Sequence, residues 1–552
     1  MLDDKESVLS CNSDGKSIYV VFKELTMIST KLYPAEFSES QAASFISESS
    51  IKNRKALGQF FTPLSVARFM ASLAEYNRKS LRVLDTGAGT GILSCAVCEA
   101  AVKNKAVKTI EIDAYEIDPL LAELLRESLH MTKKWLAQQH IELSFRIIEE
   151  DFILSFRQDL WAKDIVTYDL AIGNPPYFKI GKNDPRAVTA SRFVCGQPNI
   201  YALFMGVAAE LLKDKGLMVM ITPRSYASGP YFRLFRQRFF DMVSPERVHL
   251  FESRKDAFRK DEVLQENIIL KARKAGNSAI INISVSKGVD DLDNTVGHRL
   301  STSQALYSAG KGRILRLPLS DFDIEVIDIV EQWEGSLHKY GLQISTGPVV
   351  PFRAEDLISG TKHRSKGFVP LIWMQNVHSM KVEWPCFSMK NGKEKPQFIK
   401  ANKEAFRRRL ILEDQTLVLL RRFSAKEQQR RLTAAPLTKG KIGSDLIGLE
   451  NHVNYIYRPK GKLSKKLALG LSAFLNSSLL DRYFRISNGN TQVSATEIRA
   501  IPLPSLEVIE EVGDGVKALA HIPTLAEIDT LVWSTICNGN QILSRAGGIS
   551  GG

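Results

Sequence analysis

Residues 83–94 read VLDTGAGTGILS. An apolar run, Val83 and Leu84, meets an acid, Asp85. Three glycines follow at alternate positions, Gly87, Gly89 and Gly91, and a second apolar run begins at Ile92. The pattern predicts a strand, a tight turn and a helix. Glycines at such a turn let the chain bend sharply and let a ligand approach the main chain. Ligands of open α/β sheets sit at the carboxyl ends of strands. The spacing G-x-G-x-G departs from the pyrophosphate fingerprint G-x-G-x-x-G. Asp85, two residues ahead of the first glycine, would repel a pyrophosphate and suits a cationic amino-acid moiety.

Outward from this turn, short apolar strands alternate with helical patterns from Lys55 to about Lys274. Strands are expected at 81–87, 112–118, 145–152, 168–174, 216–223, 247–252 and 267–274, with helices such as 119–139 and 199–215 between them. This alternation predicts a doubly wound, mostly parallel α/β sheet. Residues 1–50 read as a peripheral segment and 51–275 as the sheet domain. Residues 276–315, rich in Gly, Ser, Asn and Asp, read as a connection. Residues 316–540 read as a second, mixed α+β domain, and 541–552 as a flexible tail.

The next strands end in acids. Glu116, in AYEIDP, is placed to accept the two hydroxyls of a ribose, although a surface carboxylate at a helix start would look the same. Asp118 reads as the helix cap. Asp151, in EEDFIL, ends the third strand and can accept an adenine amine, with Phe152 against the ring. An acid facing an ammonium, an acid on a ribose and an acid on an adenine together suit S-adenosylmethionine.

The fourth strand breaks off in DLAIGNPPYF (169–178). Pro175 and Pro176 each lack an N–H and have a locked φ, so neither belongs in a helix interior or a central strand. A plain Asn-Pro turn would explain this. The alternative is a site at the strand end. An amide oxygen from Asn174 and the main-chain carbonyl of Pro175 can accept hydrogen bonds from a planar amine, whose lone pair is otherwise delocalised. Tyr177 adds an aromatic face beside these acceptors.

Composition limits the partners. The 552 residues are 44% hydrophobic and 24% charged, as in ordinary globular proteins. No apolar run is long enough to cross a bilayer, and the polar N-terminus does not read as a signal peptide, so a cytoplasmic location is expected. Six cysteines in this length make no disulfide framework. Cys95 and Cys98 lie in an apolar helical run and read as core thiols. No metal site is expected. The formal charge of +13 is concentrated: residues 351–470 hold 25 Lys and Arg against 10 Asp and Glu, and the rest of the chain holds 49 against 51. That asymmetry favours a polyanionic partner. Arg421, Arg422, Lys426, Arg430 and Arg431, beside apolar runs, are candidates for phosphate or base contacts.

GQFFTP (58–63), VLDTGAGTG, YEIDP, EEDFI, GNPPY and ITPRSY occur in that order. In this order they resemble the gamma class of DNA adenine-N6 methyltransferases, over residues 55 to about 275. The resemblance implies cofactor contacts at Thr62, Pro63, Asp85, Gly87, Gly89, Glu116, Asp151, Phe152 and Asn174. It implies catalysis at Asn174, Pro175 and Tyr177, with Tyr177 stacked on a target base rotated out of the duplex. It also implies an aromatic against the target adenine, for which Phe258 is the candidate and Phe251 the rival; a packing role is as good an account of either. Residues 344–353, 450–459 and 475–504 resemble the target-recognition region of stand-alone methylases of type II restriction–modification systems. Asn490 and Gln492, in the amide-rich NGNTQ loop, are then candidates for reading base edges, or simply residues of a turn. The implied partner is double-stranded DNA, with a cognate restriction endonuclease acting on the same sequence. N-P-P-Y also serves methylation of glutamine amides in proteins, and a non-catalytic DNA-binding protein could keep the fold.

Overall fold

The computed structural model describes residues 32–48, 60–156, 166–194, 196–251, 266–309, 312–359, 366–386, 389–390, 393–424, 428–488 and 492–539. The chain divides into two compact units, Met1–Leu306 and Tyr307–Gly552.

The first unit is built on a nine-stranded sheet. In chain order its strands are β1 (Ser80–Asp85), β2 (Thr109–Tyr115), β3 (Glu142–Ile148), β4 (Tyr168–Gly173), β5 (Leu212–Pro223), β6 (Val243–Phe251), β7 (Asn267–Lys274), β8 (Ile280–Ser286) and β9 (Val296–Ser301). Across the sheet they run β3-β2-β1-β4-β5-β7-β6-β8-β9. The pairings from β3 through β5 are parallel. β7 is antiparallel to both of its neighbours, β5 and β6. The strand order reverses direction between β1 and β4, so the carboxyl ends there open a crevice.

Local sequence sets these elements. All six residues of β4 are buried, which accounts for its unbroken apolar run. Gly173 ends it because a Cβ there would lie 2.4 Å from Thr86 Oγ1, on the loop after β1. Gly91 starts the helix Ile92–Val102 at φ +90°, and a Cβ there would meet Leu125 at 2.7 Å. The helix Pro119–Ala137 begins as its sequence suggests, with Asp118 accepting the Leu120 N–H at 3.0 Å and a proline in its first turn. Cys95 and Cys98 lie buried in the helix Ile92–Val102, and burial pushes the Cys95 thiol up to about 12.

Residues 276–315 depart from the connection expected of them. β8 and β9 extend the sheet, with Ile281, Ile283 and Val285 buried on alternate positions of β8. β8 runs parallel to β6 and antiparallel to β9. The apolar alternation outweighs the Gly, Ser and Asn residues around it. His249 pins this end of the sheet. Its ring nitrogens meet Ser284 Oγ at 3.0 Å and Ser286 Oγ at 3.1 Å. Burial lowers its pKa to about 4, so the imidazole is neutral at ordinary pH.

The second unit contains a four-stranded antiparallel sheet, in the spatial order Gln343–Thr346, Val453–Tyr457, Leu417–Arg421 and Ala434–Leu437. A mixed five-stranded sheet places Phe368–Ile372 parallel to Leu446–Leu449. The helices Lys465–Asn476, Ser478–Ser487, Leu506–Ala518 and Leu525–Gly539 complete it. No helix among the described residues is long and apolar enough to cross a membrane.

Candidate active site

The carboxyl ends of β1, β2, β3 and β4 surround a cavity of about 500 Å³. Gly87, Gly89, Glu116, Asp151, Phe152 and Asn174 line it, joined by Phe60, Phe61, Thr86, Phe178, Arg186 and Phe204. Gly89 sits at φ +56° with Phe61 3.7 Å from where its Cβ would be, so backbone and ring close on each other there.

Asp85 is fully buried at the end of β1. Its Oδ2 accepts the Ser94 hydroxyl at 2.7 Å, while Oδ1 has no well-formed hydrogen bond. Burial, with the nearby Glu116 charge adding to it, pushes the carboxyl up to about 7 against the hydrogen bonds from Ser94 and Gly87. A buried carboxylate with one oxygen unsatisfied is costly unless a cation meets it. Glu116, also buried, accepts the Gly89 N–H at 2.8 Å through Oε2 and the Asp118 N–H at 2.9 Å through Oε1. These bonds hold the carboxylate against the glycine turn, and burial raises its pKa.

Asp151 caps its own turn: Oδ1 accepts the N–H groups of Ile153 and Leu154 at 2.9 and 3.0 Å. Its Oδ2 lies 3.8 Å from Arg186. Phe152 is buried between Tyr115 and Phe204, both with ring centroids 5.1 Å away. The lining therefore fits S-adenosylmethionine with a fixed carboxylate for a diol and an aromatic wall for a purine, while Asp85, the acid suited to an ammonium, is fully buried and not among the lining residues.

At the β4 end the Asn174 amide has a defined orientation. Its Nδ2 donates to the Phe60 carbonyl at 2.9 Å and to Thr62 Oγ1 at 3.1 Å. Its Oδ1 accepts the Tyr177 hydroxyl at 2.6 Å. Thr62 meets Asn174 from the segment that leads into the helix Leu64–Ser72, and Pro63 stands at that helix's N-cap; neither is among the residues that line the cavity. Tyr177 differs from its expected role as an open stacking face. It is only 7% exposed, its hydroxyl oxygen also lies 3.2 Å from the Ile221 carbonyl oxygen, and its ring lies 5.4 Å from that of Phe60. As placed, Tyr177 braces Asn174, and Phe60 covers the tyrosine ring.

The arginines of the second unit divide. Arg431 is 1% exposed; its Nε donates to Ser424 Oγ at 3.2 Å and its Nη1 to the Asn488 carbonyl at 3.3 Å. Arg430 is paired with Asp529 at 2.6 Å. Arg431 is buried within the unit, which corrects its reading as a DNA contact, whereas Arg430 is partly exposed and tied to Asp529. Arg421 is half-buried, donates to the Val377 carbonyl at 2.5 Å, and burial lowers its pKa. Arg422 donates to the Asn451 carbonyl at 2.9 Å. With the Gln492 amide oxygen turned toward it, Arg422 also donates from Nε at 2.9 Å and Nη2 at 2.6 Å. Phe258, Lys426 and Asn490 lie outside the described residues.

Phe60, Thr86 and Phe204 were not anticipated as lining residues. Phe60 and Phe61 stand directly before Thr62 in GQFFTP, so the motif itself held that signal; Phe204 is one of many apolar residues in a helix buried along nearly its whole length.

Residues 101–258 match the family model of the Eco57I restriction-modification methylase. The chain is 33% identical to the type II methyltransferase M.BsuBI of Bacillus subtilis, over 88% of this chain and 95% of that one. It is likewise 33% identical to the type II methyltransferase M.PstI of Providencia stuartii, over 84% of this chain and 90% of that one. Among solved structures, the type IIL restriction-modification enzyme MmeI in complex with DNA aligns with 94% of this chain and 75% of its own, at 10% identity and a TM-score of 0.47.

Proposed function

The chain belongs to the type II DNA methyltransferases of restriction–modification systems, which use S-adenosylmethionine. From that premise we propose that it methylates the N6 amine of one adenine within a specific double-stranded sequence. The observation that carries this reading is the Asn174 amide, held by three hydrogen bonds at the end of β4 beside the cofactor-sized cavity.

S-adenosylmethionine supplies an electrophilic methyl group when bound. Asp85 would take its ammonium, Glu116 its ribose, and Asp151 with Phe152 its adenine. Asn174 Oδ1 and the Pro175 carbonyl would accept the two N–H bonds of the target amine. Drawing those bonds out of the ring plane localises the nitrogen lone pair, and the acceptors stabilise the positive charge that then develops. Tyr177 holds Asn174 in this orientation. A base rotated out of the duplex would reach these two acceptors through its exocyclic amine. The second unit would recognise the target sequence, and an endonuclease cutting that sequence is the expected counterpart.

Incubation with methyl-labelled S-adenosylmethionine, duplex DNA and total cell protein tests the reaction class. Label is expected in DNA. Label confined to protein would favour glutamine-amide methylation instead, and DNA binding without label would favour a non-catalytic role.

A further inference from the structure

Four segments far apart in the sequence meet in the second unit. The Val349 N–H donates to the Leu449 carbonyl at 3.0 Å, and the Asn451 N–H to the Val349 carbonyl at 2.9 Å. The Arg422 N–H donates to the His452 carbonyl at 2.9 Å, and the Val493 N–H to the Arg422 carbonyl at 2.7 Å. Asn454 Nδ2 closes the set on the Val493 carbonyl at 2.8 Å. Gly347 is required by this contact: a Cβ there would lie 2.2 Å from the Glu450 carbonyl oxygen. Residues 347–353, 421–423, 450–454 and 492–493 therefore form one hydrogen-bonded platform.

The platform displays side chains that water does not favour. Phe352 is 70% exposed and Phe423 37% exposed. Phe423 meets His452 edge-on at 5.0 Å. His452 is partly exposed, and its Nδ1 is engaged by the buried Glu450 carboxylate, which fixes the ring and leaves Nε2 as its other polar atom. Arg422 and Gln492 hold each other in a two-point contact. Base edges are read by polar groups fixed in register, with apolar contacts to thymine methyl groups, whereas phosphates tolerate mobile cations. The platform has the first character, and residues 421–423 and 450–454 of it lie within the stretch that carries the chain's excess positive charge.

We infer that this platform reads base edges of the target duplex, with His452 and Gln492 as hydrogen-bonding groups and Phe352 and Phe423 as apolar contacts. The inference rests on the proposed DNA methylation and adds the surface that selects the sequence.

The test uses the full-length protein. A modification map of DNA methylated by the wild type first defines the target sequence. Binding of His452→Ala and Phe352→Ala is then measured on that duplex and on a scrambled one, each at two salt concentrations. Target binding is expected to weaken about tenfold or more in each variant, the scale of one lost base contact. Scrambled-duplex binding, its salt dependence and S-adenosylmethionine binding are expected to stay unchanged. An equal loss on both duplexes would make these phosphate contacts and overturn the inference. Unchanged binding on both, with melting temperatures intact, would overturn it as well. A wild type that modifies no DNA would remove the proposed function and this inference together, a result separate from any behaviour of the variants.

Discussion

Asn174→Ala is expected to lower the methyl-transfer rate by about 10²- to 10³-fold, the effect of removing one positioned group from a charge-stabilising set. Binding of S-adenosylmethionine, followed by calorimetry, should change only a few-fold. The two readouts separate because Asn174 bonds to Phe60, Thr62 and Tyr177 and not to Asp85, Glu116 or Asp151. The variant also frees the Phe60–Thr62 segment, so its melting temperature should accompany the rates. Transfer at close to the wild-type rate would show that the amide is a turn residue and nothing more.

Asp85→Asn should have opposite effects on stability and on cofactor binding. The carboxyl stands at about 7 in the folded protein against 3.8 for an unperturbed aspartate. The folded state therefore holds its proton more tightly than the unfolded state. Its contribution favours folding at low pH and is lost as pH rises from about 4 to about 7. Above that window the buried charge costs up to about 4 kcal/mol, so the asparagine variant without cofactor should be more stable than the wild type at pH 8. Its affinity for S-adenosylmethionine should fall by about a hundredfold or more, as a buried charge pair loses one partner. The wild type should also show a pH dependence that the variant lacks. Below pH 7 a cationic ligand must displace the proton, so the wild-type dissociation constant should rise about tenfold per pH unit. Calorimetry from pH 5.5 to 8.5 on both proteins checks the sign. A flat wild-type profile would mean that Asp85 meets no cation.

The sheet and its ligand end were legible because they depend on local covalent facts. Glycine spacing after Asp85, acids ending successive strands, and two prolines that stop β4 each restrict the backbone where they stand. Partners distant in sequence were not legible. Arg430 finds Asp529, and Arg431 sits beside Phe484 and Asn488, so arginines that look free in sequence are engaged within the fold. Tyr177 lost its open face to Phe60, a residue 117 positions earlier. β8 was hidden because its alternating isoleucines and valine are interleaved with Asn and Ser, which sequence rules assign to loops. Likewise nothing in β7 itself distinguishes an antiparallel strand buried on both faces from a parallel one.

The central claim is that the Asn174–Pro175 corner acts on the N6 amine of adenine. Its most direct test is nucleoside analysis by mass spectrometry of duplex DNA methylated by the purified protein. N6-methyladenosine of the deoxy series, at least about a hundredfold scarcer in DNA treated with Asn174→Ala over the initial-rate period, is the predicted result. Methylation of cytosine, at its exocyclic amine or at ring carbon 5, with adenine unmodified would contradict the account.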